Sequence, residues 1–384
     1  MAFRSSNRIF IIIYCLLLSN YFNGQTRLII TSVPNNTPEN ARIFVSGDFE
    51  GWTGGQVKYA LSYSNGSYSI DLPQSILPIQ FKFTRGSWNE VEVDASGSQI
   101  DNRSIQGVES NDHHTFIIEN WSDLVEARST ANEQVSVLDE AFEIPQLKTA
   151  RKIWIYLPPD YESNQANYPV LYMHDGQNLF DELTSYGGEW QVDESLDELS
   201  KQENINLILI GIDNAGNNRI DEYSPWKLAN YASEQKGEAY IDFIVESLKP
   251  YIDEHFRTLK GNQDTGIMGS SLGGLISHYA VLKHPEVFGK AGIFSPSFEL
   301  APDSFQFTKE HCKDVNSKLY FMAGDAESKN MTPFMTRMVD ELELCGYPPS
   351  HIFSKITKGG EHNEKLWRDE FKEAIRWLYG QNYN

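Results

Sequence analysis

Thr265-Gly266-Ile267-Met268-Gly269-Ser270-Ser271-Leu272-Gly273-Gly274-Leu275-Ile276-Ser277 is the stretch that decides the fold. Thr265–Met268 reads as a short buried strand, and the pattern from Leu272 to His284 reads as a helix, with one tight turn left between them. A turn that sharp calls for residues without bulk on both flanks of the central serine, which Gly269 and Gly273 supply. It lifts the Ser271 hydroxyl out at the top of a sheet and sets it against a helix N-terminus, where developing negative charge is favoured. Ser270 lies in the same motif, but Ser271 holds its central position.

Working outward, strands alternate with helices from about Lys148 to the C-terminus. Ile153–Leu157, Tyr168–His174, Leu207–Ile212, Ala291–Phe294, Leu319–Met322 and Ile352–Ile356 read as strands, several of them apolar on both faces as central parallel strands are. Tyr240, Ile241, Ile244, Val245 and Leu248 mark one face of a helix before Pro250, and Trp367, Phe371, Ile375 and Leu378 mark another. The expectation is an α/β domain at 147–382, with one mostly parallel sheet covered on both sides.

Upstream the pattern is β only. Leu28–Val33, the alternating Tyr68, Ile70 and Leu72, and the alternating Ile79, Phe81 and Phe83 read as strands, and Asn65-Gly66 is a hairpin turn. A small β-sandwich at 27–121 follows, with 122–146 as a polar linker. Residues 1–24 read as a signal peptide, because Arg4 and Arg8 precede the apolar run Ile9–Leu18. That run is too short to span a bilayer permanently, and no other stretch reaches spanning length, so the expectation is a secreted or periplasmic protein without an integral membrane span. Cys312 and Cys345 then sit in an oxidising compartment, as a disulfide or as two buried thiols.

The 384 residues carry a formal net charge of −21, which argues against nucleic acid and anionic membrane surfaces as partners. Three cysteines are too few for a disulfide scaffold, no Cys/His cluster has zinc spacing, and no metal or cofactor is expected.

A serine hydroxyl needs a base. His362 follows Gly359-Gly360-Glu361 in a loop between the last strand and the last helix, downstream of the serine. His174, at a strand end, ranks second, while His278 and His284 fall on the helix after Ser271, pointing away from the turn. The acid that orients the base belongs between serine and histidine, after a strand, where Gly324-Asp325-Ala326-Glu327 offers both Asp325 and Glu327. Spacing alone does not separate them. For the oxyanion, the backbone N–H of Leu272 supplies one donor, and Gln177, in Asp175-Gly176-Gln177-Asn178, suits the other.

Ile155–Tyr161, Tyr168–Phe180, Tyr186-Gly187-Gly188-Glu189-Trp190, Glu222–Trp226, Gly269–Gly274 and Gly360-Glu361-His362-Asn363-Glu364 together resemble the putative esterase family, which is close to esterase D, the enterochelin esterases and the acetyl- and feruloyl-cleaving carbohydrate esterases. The resemblance covers roughly residues 137–382. It implies an α/β-hydrolase fold with Ser271 as nucleophile and His362 as base, and it points to Glu327 rather than Asp325 as the acid. Val45–Trp52 and Phe81–Trp88 resemble the starch- and glycogen-binding β-sandwich modules, which makes Trp52 and Trp88 candidate sugar-stacking residues; the alternative places both in the core or at a domain interface. The expected activity is hydrolysis of carboxylic esters on a small-molecule or polysaccharide carbohydrate. The alternatives are a siderophore esterase and a non-catalytic glycan-binding protein.

Overall fold

The computed structural model describes residues 25–106, 113–125, 129–229, 231, 233–314 and 316–380. The signal peptide expected at 1–24 lies outside the described residues. The chain divides into two compact units, Met1–Glu126 and Ala127–Asn384.

In the second unit eight strands form one sheet: β1 Val135–Ile144, β2 Thr149–Tyr156, β3 Val170–His174, β4 Ile208–Ile212, β5 Thr265–Ser270, β6 Lys290–Phe294, β7 Lys318–Gly324 and β8 Ile352–Thr357. Their order across the sheet is β1-β2-β4-β3-β5-β6-β7-β8. The pairs β1–β2 and β2–β4 are antiparallel, and every later pair is parallel. The parallel strands lack alternation because both faces are covered. On β3, Val170 and Tyr172 enter one apolar core while Leu171 and Met173 enter the other, and on β5 Ile267 and Met268 divide the same way.

Two boundaries differ from the sequence reading. The polar stretch at 122–146 is not a linker throughout, because Val135–Ile144 is the edge strand of the sheet. An edge strand exposes one face to water and here breaks register twice, which hides the apolar period. Only Ile144 is fully buried, with Leu138 and Phe142 half-buried against the core. The second boundary is Pro250, which does not end its helix. Gly237–Phe243 runs through a π-turn at Ile244–Leu248 into Lys249–His255. Pro250 falls directly after that π-turn, the widened turn in which a proline's missing N–H and ring are accommodated inside a helix.

Among the described residues the first unit has two small sheets around one core and a two-stranded pair, Glu92–Val93 with Asn120–Trp121. Gln25–Ser32 pairs antiparallel with Ser67–Pro73 and parallel with His113–Ile117, and Ser62–Ser64 completes that sheet through the Asn65-Gly66 hairpin, whose φ values are 51° and 82°. Phe44–Gly47, Ile79–Thr84 and Arg103–Ile105 form the other. Leu28, Val45, Phe81, Phe83 and Trp121 fill the space between them. The tryptophan buried in this core is Trp121; Trp88 is 37% exposed and Trp52 is half-buried. Their rings lie 5.9 Å apart, and Trp88 Nε1 donates to the Trp52 carbonyl at 2.8 Å.

Among the described residues no helix is long and apolar enough to cross a membrane. Cys312 and Cys345 are joined as a disulfide.

Candidate active site

β5 ends at Ser270 and the helix Leu272–Lys283 begins two residues later, so Ser271 alone makes the turn. Its backbone sits at φ 59°, ψ −120°, a conformation that costs a non-glycine residue about 1–3 kcal/mol. Three backbone hydrogen bonds hold it there: Ser271 N–H to Phe294 O, and Leu275 and Ser297 N–H to Ser271 O. The glycines around it do not divide as the sequence suggested. A Cβ on Gly269 would lie 2.8 Å from His174 and one on Gly274 2.7 Å from Phe294 O, whereas one on Gly273 would meet nothing closer than 3.5 Å. Gly274, not Gly273, is the close approach that fixes the helix onto β6.

Sheet register brings the other loops to the same edge. Met173 pairs with Met268, so His174 and Asp175 leave β3 beside the turn. Gly324 pairs with Thr357 at the ends of β7 and β8, so the loops carrying Glu327 and His362 leave side by side. Their backbones meet at Gly324 and Gly360, since a Cβ on Gly324 would fall 2.1 Å from Gly360 O.

His362 Nδ1 donates to Glu327 Oε2 at 2.5 Å. The Glu327 side chain is fully buried. Its other oxygen, Oε1, accepts from Ser295 Oγ at 2.7 Å and Gly324 N–H at 2.6 Å. Ser295 also accepts from Trp367 Nε1 at 2.9 Å, and the Trp367 ring stands edge-on to the imidazole. Asp325 is exposed and accepts from Gly359 N–H at 2.6 Å, so it ties down the histidine loop rather than the ring.

Ser271 and His362 line one cavity of about 180 Å³, together with His174, Asp175, Asn178, Trp190, Asn214, Arg219, Ser270, Glu364 and Trp367. Among the described residues Ser271 Oγ bonds Ser297 Oγ at 3.2 Å and makes no hydrogen bond to His362. The backbone N–H groups of Leu272 and Gln177 have no acceptor among the described hydrogen bonds. The Gln177 side-chain oxygen accepts from Asn214 N–H at 3.1 Å.

Opposite the serine, Arg219 grips Asp175 with two hydrogen bonds of 2.6 and 2.8 Å. Burial alone would raise the Asp175 carboxyl, but the Arg219 guanidinium and Asn214 amide hold it below the usual range. His174 is buried beneath the turn, bonded to Tyr240 Oη at 2.8 Å, and burial lowers its pKa to about 3, so it stays neutral. His278 is buried against Thr308, and His284 lies at the far end of its helix, near Asp242 and Glu286.

Sequence reasoning missed Ser295, Ser297, Trp367 and Arg219 as parts of this site. Trp367 was placed on a core-facing helix stripe, which is correct and conceals that its indole N–H reaches Ser295.

The Putative esterase family model matches residues 144–378. An uncharacterized protein, YbbA, of Bacillus subtilis is 30% identical over 247 residues, covering 60% of this chain and 94% of its own. An endo-1,4-beta-xylanase/feruloyl esterase of Xylanibacter ruminicola is 22% identical over 229 residues, covering 59% of this chain and 29% of that one. The N-terminal β region has a partial match to an alpha-amylase of Niallia circulans, 37% identical over 95 residues, which are 24% of this chain and 7% of the amylase. Among solved structures, the enterobactin esterase of Shigella flexneri superposes with a TM-score of 0.54 at 15% identity, covering 89% of each chain. It shares the fold.

Proposed function

The chain belongs to the putative esterase family of α/β-hydrolases, and from that premise we propose that it hydrolyses carboxylic esters, of acetyl or feruloyl type, carried by carbohydrates. The observation that carries the reading is the buried Glu327 carboxylate bonded to His362, in the loop beside the strained Ser271 turn.

The chemistry follows from those positions. Glu327 holds Nδ1–H of the imidazole, which leaves the Nε2 lone pair free to act as base. A rotation of the Ser271 side chain away from Ser297 brings its hydroxyl to His362, and Oγ attacks the acyl carbon as Nε2 takes the proton. Negative charge developing on the acyl oxygen is met by the N–H groups of Leu272 and Gln177, which have no acceptor among the described hydrogen bonds. His362 returns the proton to the departing alcohol. Water then repeats the attack on the acyl-serine and releases the acid.

Two observations support a carbohydrate ester. One is the partial amylase match of the N-terminal region together with the Trp52–Trp88 pair at the surface, which offers sugar rings a stacking platform. The other is the xylanase/feruloyl esterase relative. The disulfide and the leader-like residues 1–24 support export to an oxidising compartment. A siderophore triester is the second reading, favoured by the enterobactin esterase likeness across both units. The cavity disfavours it, because its one full positive charge, on Arg219, is already spent on Asp175.

The test is a panel of p-nitrophenyl acetate, methyl ferulate, acetylated xylan and an iron-free catecholate siderophore. Turnover of the xylan or ferulate ester well above the siderophore, abolished by Ser271→Ala, supports the reading. Turnover confined to the siderophore transfers the protein to the second reading.

A further inference from the structure

The cavity has more polar side chains than the hydrolytic steps use. Asp175 and Arg219 consume each other, and Asn214 is spent at both ends, donating to Asp175 at 2.7 Å and accepting from Gly216 N–H at 2.8 Å. Among the groups left over are a carboxylate and an amide. Glu364 lines the cavity, and among the described residues its carboxylate accepts only from its own backbone N–H, with no other residue bonded to it. It is the first residue of the C-terminal helix, two positions after His362, and it is pressed against the backbone of Gly187. Asn178 lines the same cavity; its Oδ1 accepts from Tyr186 N–H at 3.2 Å, and its Nδ2 donates to no acceptor among the described residues.

A carboxylate in a cavity wall with lone pairs to spare can accept from a ligand hydroxyl in place of water. Burial pushes the Glu364 carboxyl up and nearby Asp175 adds to the effect, while its own backbone N–H, His362 and Arg219 oppose it. The loop Tyr186–Trp190 supplies Gly187 against Glu364 and ties back to Asn178 through Tyr186, so the carboxylate and the amide are held by one segment.

We propose that Glu364 and Asn178 form a hydroxyl-recognition subsite, in which a free hydroxyl of the substrate donates to the Glu364 carboxylate and accepts from Asn178 Nδ2. An acceptor and a donor facing one cavity match a hydroxyl, which does both. The surplus negative charge, with Asp175 and Arg219 already cancelled, also excludes esters that carry a carboxylate near the reacting acyl group. This rests on the esterase reading and narrows its substrate to esters of partly unsubstituted polyols.

The experiment compares three esters on the full chain: p-nitrophenyl acetate, a monoacetylated methyl glycoside with a free hydroxyl beside the ester, and the anionic p-nitrophenyl hemisuccinate. Glu364→Ala and Asn178→Ala should each lower the ratio of kcat/KM for the glycoside to that for p-nitrophenyl acetate by about 10-fold or more, the scale expected when a hydrogen-bonded substrate hydroxyl loses its partner. Glu364→Gln should raise the ratio for hemisuccinate over p-nitrophenyl acetate several-fold, which a merely structural role would not do. Equal losses on all three esters, or unchanged ratios, overturn the subsite. A wild-type chain that cleaves p-nitrophenyl acetate but never the glycoside overturns it too. A wild-type chain inert on p-nitrophenyl acetate overturns the esterase reading itself, and the subsite with it.

Discussion

Glu327→Gln is the substitution whose cost the structure lets us work out. Glu327 Oε1 accepts two donors, Ser295 Oγ–H and Gly324 N–H, while Oε2 faces His362 Nδ1. An amide has one oxygen. If that oxygen stays on the Oε1 side, the NH₂ faces His362, and Nδ1 must become an acceptor. The imidazole is then held as the Nε2–H tautomer, which has no lone pair for Ser271. If the amide flips, the tautomer is correct, but NH₂ confronts the Gly324 N–H and leaves it without an acceptor in a buried place. Each lost hydrogen bond of that kind costs about 1–3 kcal/mol, and both Gly324 N–H and Ser295 Oγ–H lose their acceptor, so the productive arrangement lies about 2–6 kcal/mol above the unproductive one. At about 1.4 kcal/mol per tenfold, kcat/KM should fall by roughly 10²- to 10⁴-fold. Asp325→Asn keeps an oxygen for Gly359 N–H and should stay within about 10-fold of wild type. The assay is initial-rate hydrolysis of p-nitrophenyl acetate from pH 5 to 9, with melting curves as the folding control. A wrong tautomer is not rescued by raising pH, so the Glu327→Gln deficit should persist across the range. A folded Glu327→Gln chain within 10-fold of wild type, or a larger loss at Asp325→Asn, would refute the reasoning.

Three other outcomes are expected. Gly273→Ala should fold and keep most activity, since its Cβ meets nothing within 3.4 Å, whereas Gly274→Ala should be strongly destabilised by its 2.7 Å approach to Phe294 O; activity and melting of the two variants decide it. Burial raises the pKa of Glu189, bonded to Thr130 Oγ1, from an ordinary 4.5 to about 7. The folded chain therefore holds a proton that the unfolded chain loses, and this group's contribution to stability falls as pH rises from 4.5 to about 7, then levels. Glu189→Gln should accordingly shift Tm upward more at pH 8 than at pH 4, and a shift confined to pH 4 would contradict the sign. A chain starting at residue 127 should fold and cleave p-nitrophenyl acetate near the full-length rate, because Ser129, Thr130 and Asn132 bond Asp181, Glu189 and Asp193 within the same unit. A start at residue 147 removes β1 with the fully buried Ile144 and should cost at least ~2 kcal/mol in denaturant unfolding.

The features legible in the sequence were those set by local rules. The glycine-flanked serine between strand and helix, the doubly apolar strands and the Asn65-Gly66 hairpin each declare themselves within a few residues. Chain order and strand ends narrowed the candidates to Ser271, His362 and the pair Asp325 and Glu327, between which only the family resemblance chose. Where tertiary context overrode local pattern, the reading failed. The edge strand Val135–Ile144 reads as polar because one face meets water, and Pro250 reads as a helix end because the π-turn before it leaves no mark in the apolar period. Ser295 and Trp367 are 72 residues apart and meet only in the folded site, so no spacing could have announced them. Glu364 stands in the Gly360–Glu364 motif, but only the fold places it in the wall of the cavity.

Covalent labelling tests the central claim most directly. The full chain is treated with a fluorophosphonate ester, a reagent that phosphonylates an activated serine, and the modified peptide is located by mass spectrometry. The account predicts one phosphonyl group per chain, on Ser271, absent from Ser271→Ala and greatly slowed in Glu327→Gln. A label on Ser270 or Ser297, or labelling and ester turnover that survive Ser271→Ala, would contradict it.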